Sequence, residues 1–217
     1  MSPLNSLQIH LHQVSKWYGT VRALKGVTAS LQGGYVSIIQ GANGAGKSTL
    51  LAVVGTLLKP TSGKIDYGLL GRDRSEIRKK IGWLGEDLLC YTELSGRENI
   101  ELTAQLYGLD PLSAFVSASE RFNLKSFADR PLKACSQGQR QRVALARMWV
   151  SHPRVILLDE PTRGLDSDSV QGLVQILREE KGKGTLIAIA THDTEFAGKI
   201  GDEWIELAQG RCTNKRL

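Results

Sequence analysis

Apolar and polar residues alternate across Leu7-Gln8-Ile9-His10-Leu11-His12, the period-two pattern of a strand with one face covered. A second extended stretch spans residues 23–31 and stops at the turn pair Gly33-Gly34. Tyr35-Val36-Ser37-Ile38-Ile39 reads as a buried strand that runs into a glycine-rich loop. Residues 48–58 carry a helical pattern closed by Lys59-Pro60-Thr61-Ser62-Gly63, and short strands follow at 64–67 and 81–84. The middle, from about residue 86 to 152, reads as a run of helices. Ser95-Gly96-Arg97-Glu98 has the spacing of a capping box, Pro111 opens a further helix, and Ser136-Gln137-Gly138-Gln139 starts another that continues over 140–150. Strands return at 155–158 and 185–190, and between them Val170, Leu173, Val174 and Leu177 mark one face of a helix. Strands alternating with helices predict an α/β fold with a mostly parallel, helix-covered sheet and an inserted helical subdomain.

Composition narrows the class. The chain has 217 residues, 41% apolar and 23% charged, which suits one folded domain with ample core and excludes disordered or collagen-like chains. No apolar run approaches the roughly 20 residues a membrane span needs. Residues 1–6 lack a basic region followed by an apolar stretch, so no signal peptide is expected. Cys90, Cys135 and Cys212 are far apart with no C-x-x-C pair, which argues against a disulfide framework or a zinc site and makes the reducing cytosol the default compartment. Basic residues outnumber acidic ones, 28 to 22. They are scattered apart from small clusters at 72–78, 140–147 and the C-terminal tail, the pattern of a solvated surface more than of a nucleic-acid or membrane footprint.

Candidate chemistry begins at Gly41-Ala42-Asn43-Gly44-Ala45-Gly46-Lys47-Ser48-Thr49, a match to G-x-x-x-x-G-K-S/T lying between a buried strand and a helix. The glycines allow a tight fold whose N–H groups point at phosphate oxygens, and the helix directs its positive dipole end to the same place. Lys47 supplies a point charge for the β- and γ-phosphates, and Ser48 offers a hydroxyl to Mg²⁺. The expected ATP-binding set is therefore Gly41, Asn43, Gly44, Ala45, Gly46, Lys47, Ser48 and Thr49. Val155-Ile156-Leu157-Leu158 places Asp159 and Glu160 at the C-terminal end of a buried strand, where ligands of a parallel sheet bind. Asp159 is expected to hold Mg²⁺ and Glu160 to polarise the attacking water.

Further motifs in fixed order give a resemblance to the nucleotide-binding subunits of ABC transporters, covering residue 7 to about 207. The resemblance implies a P-loop ATPase fold with an N-terminal antiparallel β subdomain, a nucleotide core at about 1–85 and 153–217, and a helical subdomain at about 86–152 within a single domain spanning 1–217. Tyr18 sits where that family places an adenine-stacking aromatic, with neighbouring Trp17 an alternative. Cys135-Ser136-Gln137-Gly138-Gln139 is similar to the signature loop Leu-Ser-Gly-Gly-Gln, with Cys135 and Gln137 departing from it. Ser136, Gly138 and Gln139 are thereby expected to receive the γ-phosphate of a nucleotide held by a partner subunit. Gly164-Leu165-Asp166 resembles the loop that meets the opposing subunit, and His192 the switch histidine that senses the γ-phosphate. Glu86 falls at the family's loop glutamine, where it can ligate Mg²⁺ while adding negative charge near a phosphate.

The implied function is ATP hydrolysis, with Glu160, His192 and Lys47 as catalytic residues, in a homodimer on the cytoplasmic face of a membrane. A separate transmembrane permease is the implied partner, and nucleic acid is not. Trp83-Leu84-Gly85-Glu86-Asp87, Tyr91-Thr92-Glu93-Leu94, Arg97-Glu98-Asn99 and Ala144-Leu145-Ala146-Arg147-Met148-Trp149 resemble the haem-exporter type serving cytochrome c maturation. Two rivals stay open on sequence: a soluble ATPase of the same fold acting on nucleic acid or ribosomes, and a non-catalytic nucleotide-gated module.

Overall fold

A computed structural model describes residues 7–216, with side chains described through 213. Residues 1–6, on which the signal-peptide reading rests, and the side chains of the basic C-terminal tail lie outside the described residues. The first strand, β1 (Gln8–Tyr18), pairs antiparallel with β2 (Val21–Gln32) on one side and β4 (Ser62–Asp66) on the other. Their buried residues Ile9, Leu11, Leu24, Val27 and Leu31 form the inner face of this three-stranded sheet.

The larger sheet has the order β5 (Ile81–Leu84), β6 (Val155–Asp159), β7 (Leu186–Ala190), β3 (Val36–Gln40), β8 (Glu203–Ala208) and β9 (Arg211–Arg216). Its first five strands run parallel, and β9 closes the edge antiparallel to β8. The expected mostly parallel core sheet with an antiparallel N-terminal sheet is thus observed. Successive strand residues point to opposite faces. Ile38, Ile156, Leu158 and Ile187 therefore share one apolar cluster with α3 (Gly96–Leu106), α4 (Pro111–Arg121), α5 (Gln137–Trp149) and α6 (Ser167–Gly182). Ile39, Val155, Leu157 and Leu186 face the other way, onto α1 (Lys47–Val54) and the N-terminal sheet.

The two expected capping boxes form: Ser95 accepts from Glu98 N–H at 3.1 Å and Ser136 from Gln139 N–H at 3.2 Å, each with the reciprocal bond. Pro111 occupies the first turn of α4, where its missing N–H costs nothing. One boundary differs from expectation. Helix α1 ends at Val54, not near residue 58, because Gly55 caps it and Thr56 takes a left-handed φ of 61°. Arg74 and Arg78 both donate to the Thr56 carbonyl, at 2.8 and 2.9 Å, and hold that turn. The short helices α2 (Arg74–Lys79) and α7 (Thr194–Ile200) and the β8–β9 hairpin were not expected from the pattern.

Candidate functional site

Four neighbouring parallel strands, β5, β6, β7 and β3, end on the same edge of the sheet, so the segments leaving them converge. They carry Glu86, residues 160–166, residues 191–193 and the glycine-rich loop 41–46. Between them lies an open cleft of about 920 Å³ lined by Gly44, Lys47, Ser48, Asp159, Glu160 and His192, and by Glu86 at its rim.

The loop's shape is set by close approaches. Gly41 (φ 153°) would place a Cβ 2.2 Å from the Leu207 carbonyl oxygen, and Gly46 (φ 104°) one 2.6 Å from that of Ala23. Gly210 N–H, in the β8–β9 turn, donates to the Ala45 carbonyl at 3.0 Å, so the hairpin braces the loop. Lys47 is buried and its Nζ donates to the carbonyls of Gly41 (2.8 Å) and Ala42 (3.3 Å), which folds the ammonium over the loop. Asn43, Gly44, Ser48 and Thr49 line the cleft beside it.

Asp159 ends β6 and is 5% exposed. Burial pushes its carboxyl above the ordinary range, with the charges of Glu160 and Glu86 adding to the rise and the Ser48 hydrogen bond and Lys47 opposing it. The exposed Ser48 hydroxyl and the buried Asp159 carboxylate side by side are hard oxygen donors of the kind Mg²⁺ accepts. Among the described residues no group of three His, Cys, Asp or Glu side chains is placed to hold a metal ion. A divalent cation at Ser48 and Asp159 therefore needs further oxygens from water and a bound polyphosphate, which is how Mg²⁺ ordinarily sits beside nucleotides.

Glu160 adopts a left-handed φ of 47°, a conformation costing about 1–3 kcal/mol outside glycine. Its N–H donates to the Ala190 carbonyl at 2.8 Å, which fixes the strained residue. One carboxylate oxygen accepts from Thr191 Oγ1 (3.1 Å) and His192 N–H (3.4 Å); the other lies 2.8 Å from His192 Nδ1. The imidazole is otherwise exposed. Glu86 projects into solvent at the rim and accepts from Arg163 Nη1 at 2.9 Å.

The remaining expected residues stand apart from the cleft. Tyr18 does not line it: the residue is 47% exposed at the end of β1, with Lys16 Nζ 5.4 Å from the ring centroid, while Arg22 covers Trp17. Ser136, Gly138 and Gln139 open α5 and do not line it either. Gly138 instead packs against the loop 160–166 of its own chain, where a Cβ would meet the Gly164 carbonyl oxygen at 2.3 Å. Gln137, the departure from the signature pattern, lays its side chain over Gly164.

Gln141, Thr162, Arg163 and Asp193 also line the cleft and were not singled out from the sequence. Gln141 is buried on α5 and its Nε2 donates to the Pro161 carbonyl at 2.9 Å. Thr162 Oγ1 donates to Asp193 Oδ2 at 3.2 Å, and Arg163 holds Glu86. Gln141 left a signal: it falls on the same helical face as Ala144, Leu145 and Met148, all buried, so a lone amide there demanded a partner.

A phosphate-cradling loop, a buried aspartate and a flanking glutamate at the carboxyl edge of a parallel sheet, together with the antiparallel N-terminal sheet, define a P-loop ATPase of the ABC type. The sequence profile of the ABC transporter family matches residues 24–163. The chain is 35% identical over 201 residues to the daunorubicin resistance ATP-binding protein DrrA3 of Streptomyces coeruleorubidus, covering 90% of this chain and 64% of that protein. It is 34% identical to the lipoprotein-releasing system ATP-binding protein LolD of Bacteroides fragilis, over 93% of this chain and 98% of that one. A solved structure of the dimeric, post-hydrolysis ATP-binding cassette MJ0796 bound to ADP and Pi superposes with a TM-score of 0.87 at 30% identity, covering 96% and 97% of the two chains. The chain belongs to the ABC transporter family and is its ATP-binding, ATP-hydrolysing part.

Proposed function

We propose that this chain is the motor subunit of an ABC transporter in which two copies close head to tail over ATP. The observation that carries this is the separation of the half-sites. The loop 41–46 and Ser136 both have the makings of a phosphate cradle, yet Ser136, Gly138 and Gln139 do not line the cleft of their own chain. A second copy turned by a two-fold axis brings its α5 N-terminus to this cleft and completes it. The dimeric MJ0796 cassette supports that arrangement.

In this reading Gly41, Asn43, Gly44, Ala45, Gly46 and Thr49 present backbone and side-chain donors to the phosphates, and Lys47 neutralises them. Ser48 and Asp159 would hold Mg²⁺, which when bound would screen charge on the β- and γ-phosphates, and Glu86 would join them only on leaving its pair with Arg163 at the rim. Glu160 accepts a proton from the attacking water, and His192 both orients that carboxylate and hydrogen-bonds the γ-phosphate. Tyr18 stacks on the base at the rim. Full closure from 1:99 to 99:1 needs ATP to favour the closed state by about 5.5 kcal/mol. Contacts from Ser136, Gly138 and His192 to a γ-phosphate, absent with ADP, supply that preference.

The division into a nucleotide core of about residues 1–85 and 153–217 and an arm of about 86–152 belongs to this proposal: the arm passes closure to a separate permease. Among the described residues no helix is long and apolar enough to cross a membrane, which leaves the spanning part to that partner. The chain's station is then the cytoplasmic face of the membrane. The stretches 83–87, 91–94, 97–99 and 144–149 support haem export for cytochrome c maturation as the transport task. The test uses Glu160→Gln with Mg²⁺ and ATP in size-exclusion light scattering. A dimer that reverts to monomer with ADP is expected; a monomer under both conditions overturns the head-to-tail site. Co-purification tests the cargo: a membrane subunit whose absorbance spectrum shows bound haem supports it, and a haem-free subunit whose ATPase stimulation ignores added haem overturns it.

A further inference from the structure

The cleft gathers four carboxylates, from Asp159, Glu160, Glu86 and Asp193, against two permanent cations, Lys47 and Arg163. Three of the four have protein partners deep in the site. Asp159 is hydrogen-bonded by Ser48, Glu160 by Thr191 and His192, and Asp193 accepts from Phe196 N–H at the start of α7 and from Thr162. Glu86 lies at the rim, 77 residues from Arg163 in sequence, and the guanidinium is its ion-pair partner at 2.9 Å. Lys47 is turned onto the loop carbonyls and does not serve this carboxylate.

The two halves of the pair differ in how they are mounted. Arg163 rides a turn held at almost every residue: its own N–H donates to the Glu160 carbonyl at 3.2 Å, the Pro161 carbonyl accepts from Gln141, Thr162 binds Asp193, and Gly164 abuts Gly138. Glu86 lies in an irregular segment between β5 and α3 that is anchored further along, where Arg147 Nη2 donates to the Leu88 carbonyl at 3.2 Å, Asn99 exchanges bonds with Tyr91, and Lys133 and Leu132 N–H donate to the Thr92 and Leu94 carbonyls. A fixed cation thus grips a carboxylate on a less regular segment.

We propose that Arg163 is a positioning residue for Glu86: it draws the fourth carboxylate to the rim and cancels its charge, so that the polyanionic Mg²⁺–nucleotide enters a cleft it would otherwise be repelled from. This rests on the nucleotide-site reading above. Both groups are more than half exposed, so the effect is a few-fold and falls with salt.

The test is a double-mutant cycle on the full chain, reading the Kd for ATP by calorimetry in Mg²⁺ on ice. Arg163→Ala is expected to weaken binding about fivefold, Arg163→Lys to recover to within about twofold of wild type, and high salt to erase the gap. In a Glu86→Gln background the same Arg163→Ala change is expected to cost less than about twofold, because no charge is left to cancel. Equal losses in the two backgrounds, or no loss in either, would overturn the proposal while leaving the nucleotide site standing. A wild-type chain that takes up no ATP would overturn the site itself and the pair with it. Should Arg163→Ala fail to fold, Arg163→Gln carries the same comparison.

Discussion

Glu160 Oε1 lies 2.8 Å from Nδ1 of His192, across the gap between the ends of β6 and β7. Among the described residues the exposed imidazole has one side-chain partner, this carboxylate, while the carboxylate has also Thr191 and the His192 N–H. Removing the carboxylate charge should therefore hurt the chemistry and spare binding. Glu160→Gln is expected to slow turnover by about 10²–10⁴-fold with ATP affinity held within a few-fold, since general-base assistance is lost. His192→Ala is expected to slow it less, because Thr191 still holds Glu160. Single-turnover hydrolysis beside equilibrium ATP binding separates the two effects, and parallel losses of binding and rate would sink the assignment of Glu160 as base.

Lys47 offers a second test, because its ammonium is already committed to two carbonyls of the loop. Lys47→Ala should both remove a phosphate charge and loosen the loop. ATP affinity is expected to fall by about ten- to a hundredfold, the range for losing a charge-assisted hydrogen bond. A variant binding ATP as tightly as wild type by calorimetry would remove Lys47 from the site.

Gly138 makes its case through shape. A Cβ there would sit 2.3 Å from the Gly164 carbonyl oxygen, which is backbone and has little room to retreat. Gly138→Ala is expected to destabilise the chain by about 1–3 kcal/mol, the usual range for overpacking, and to displace the turn that carries Arg163. A thermal melt indistinguishable from wild type would show that α5 and residues 160–166 move apart freely.

Local features were legible from sequence. The phosphate loop, both capping boxes and the proline start of α4 depend on residues within a turn or two of each other, and each forms where its spacing put it. The β8–β9 hairpin was not legible, because burial along β8 does not follow apolar character (Glu203 is buried and Trp204 half-buried), and its turn, Gln209-Gly210, both at positive φ, lacks the usual asparagine signal. Helix α7 has its own cap, Asp193, yet spans only seven residues, too few for periodicity to show. What the sequence hid is contact at long range. Gln141 with Pro161, Arg163 with Glu86 and Gly138 with Gly164 depend on which strands are neighbours, and strand order is not a local property.

Asp159 gives the pH-dependent prediction. Burial raises its folded pKa above the unfolded value, so the native state binds a proton more readily than the unfolded chain does. The cost of keeping the carboxylate ionised is then fully present above the folded pKa. It diminishes as pH falls through that value and is gone below the unfolded value of about 3.9. Asp159→Asn removes the charge and retains the shape. It is expected to raise the melting temperature of the nucleotide-free chain at neutral pH, by a margin that shrinks as the pH is lowered toward about 4, while abolishing Mg²⁺-dependent hydrolysis. Melting curves from pH 4 to 8 read the effect directly. A variant less stable than wild type at neutral pH would mean that Ser48 and Lys47 more than repay the burial of this carboxylate, reversing the sign of its contribution.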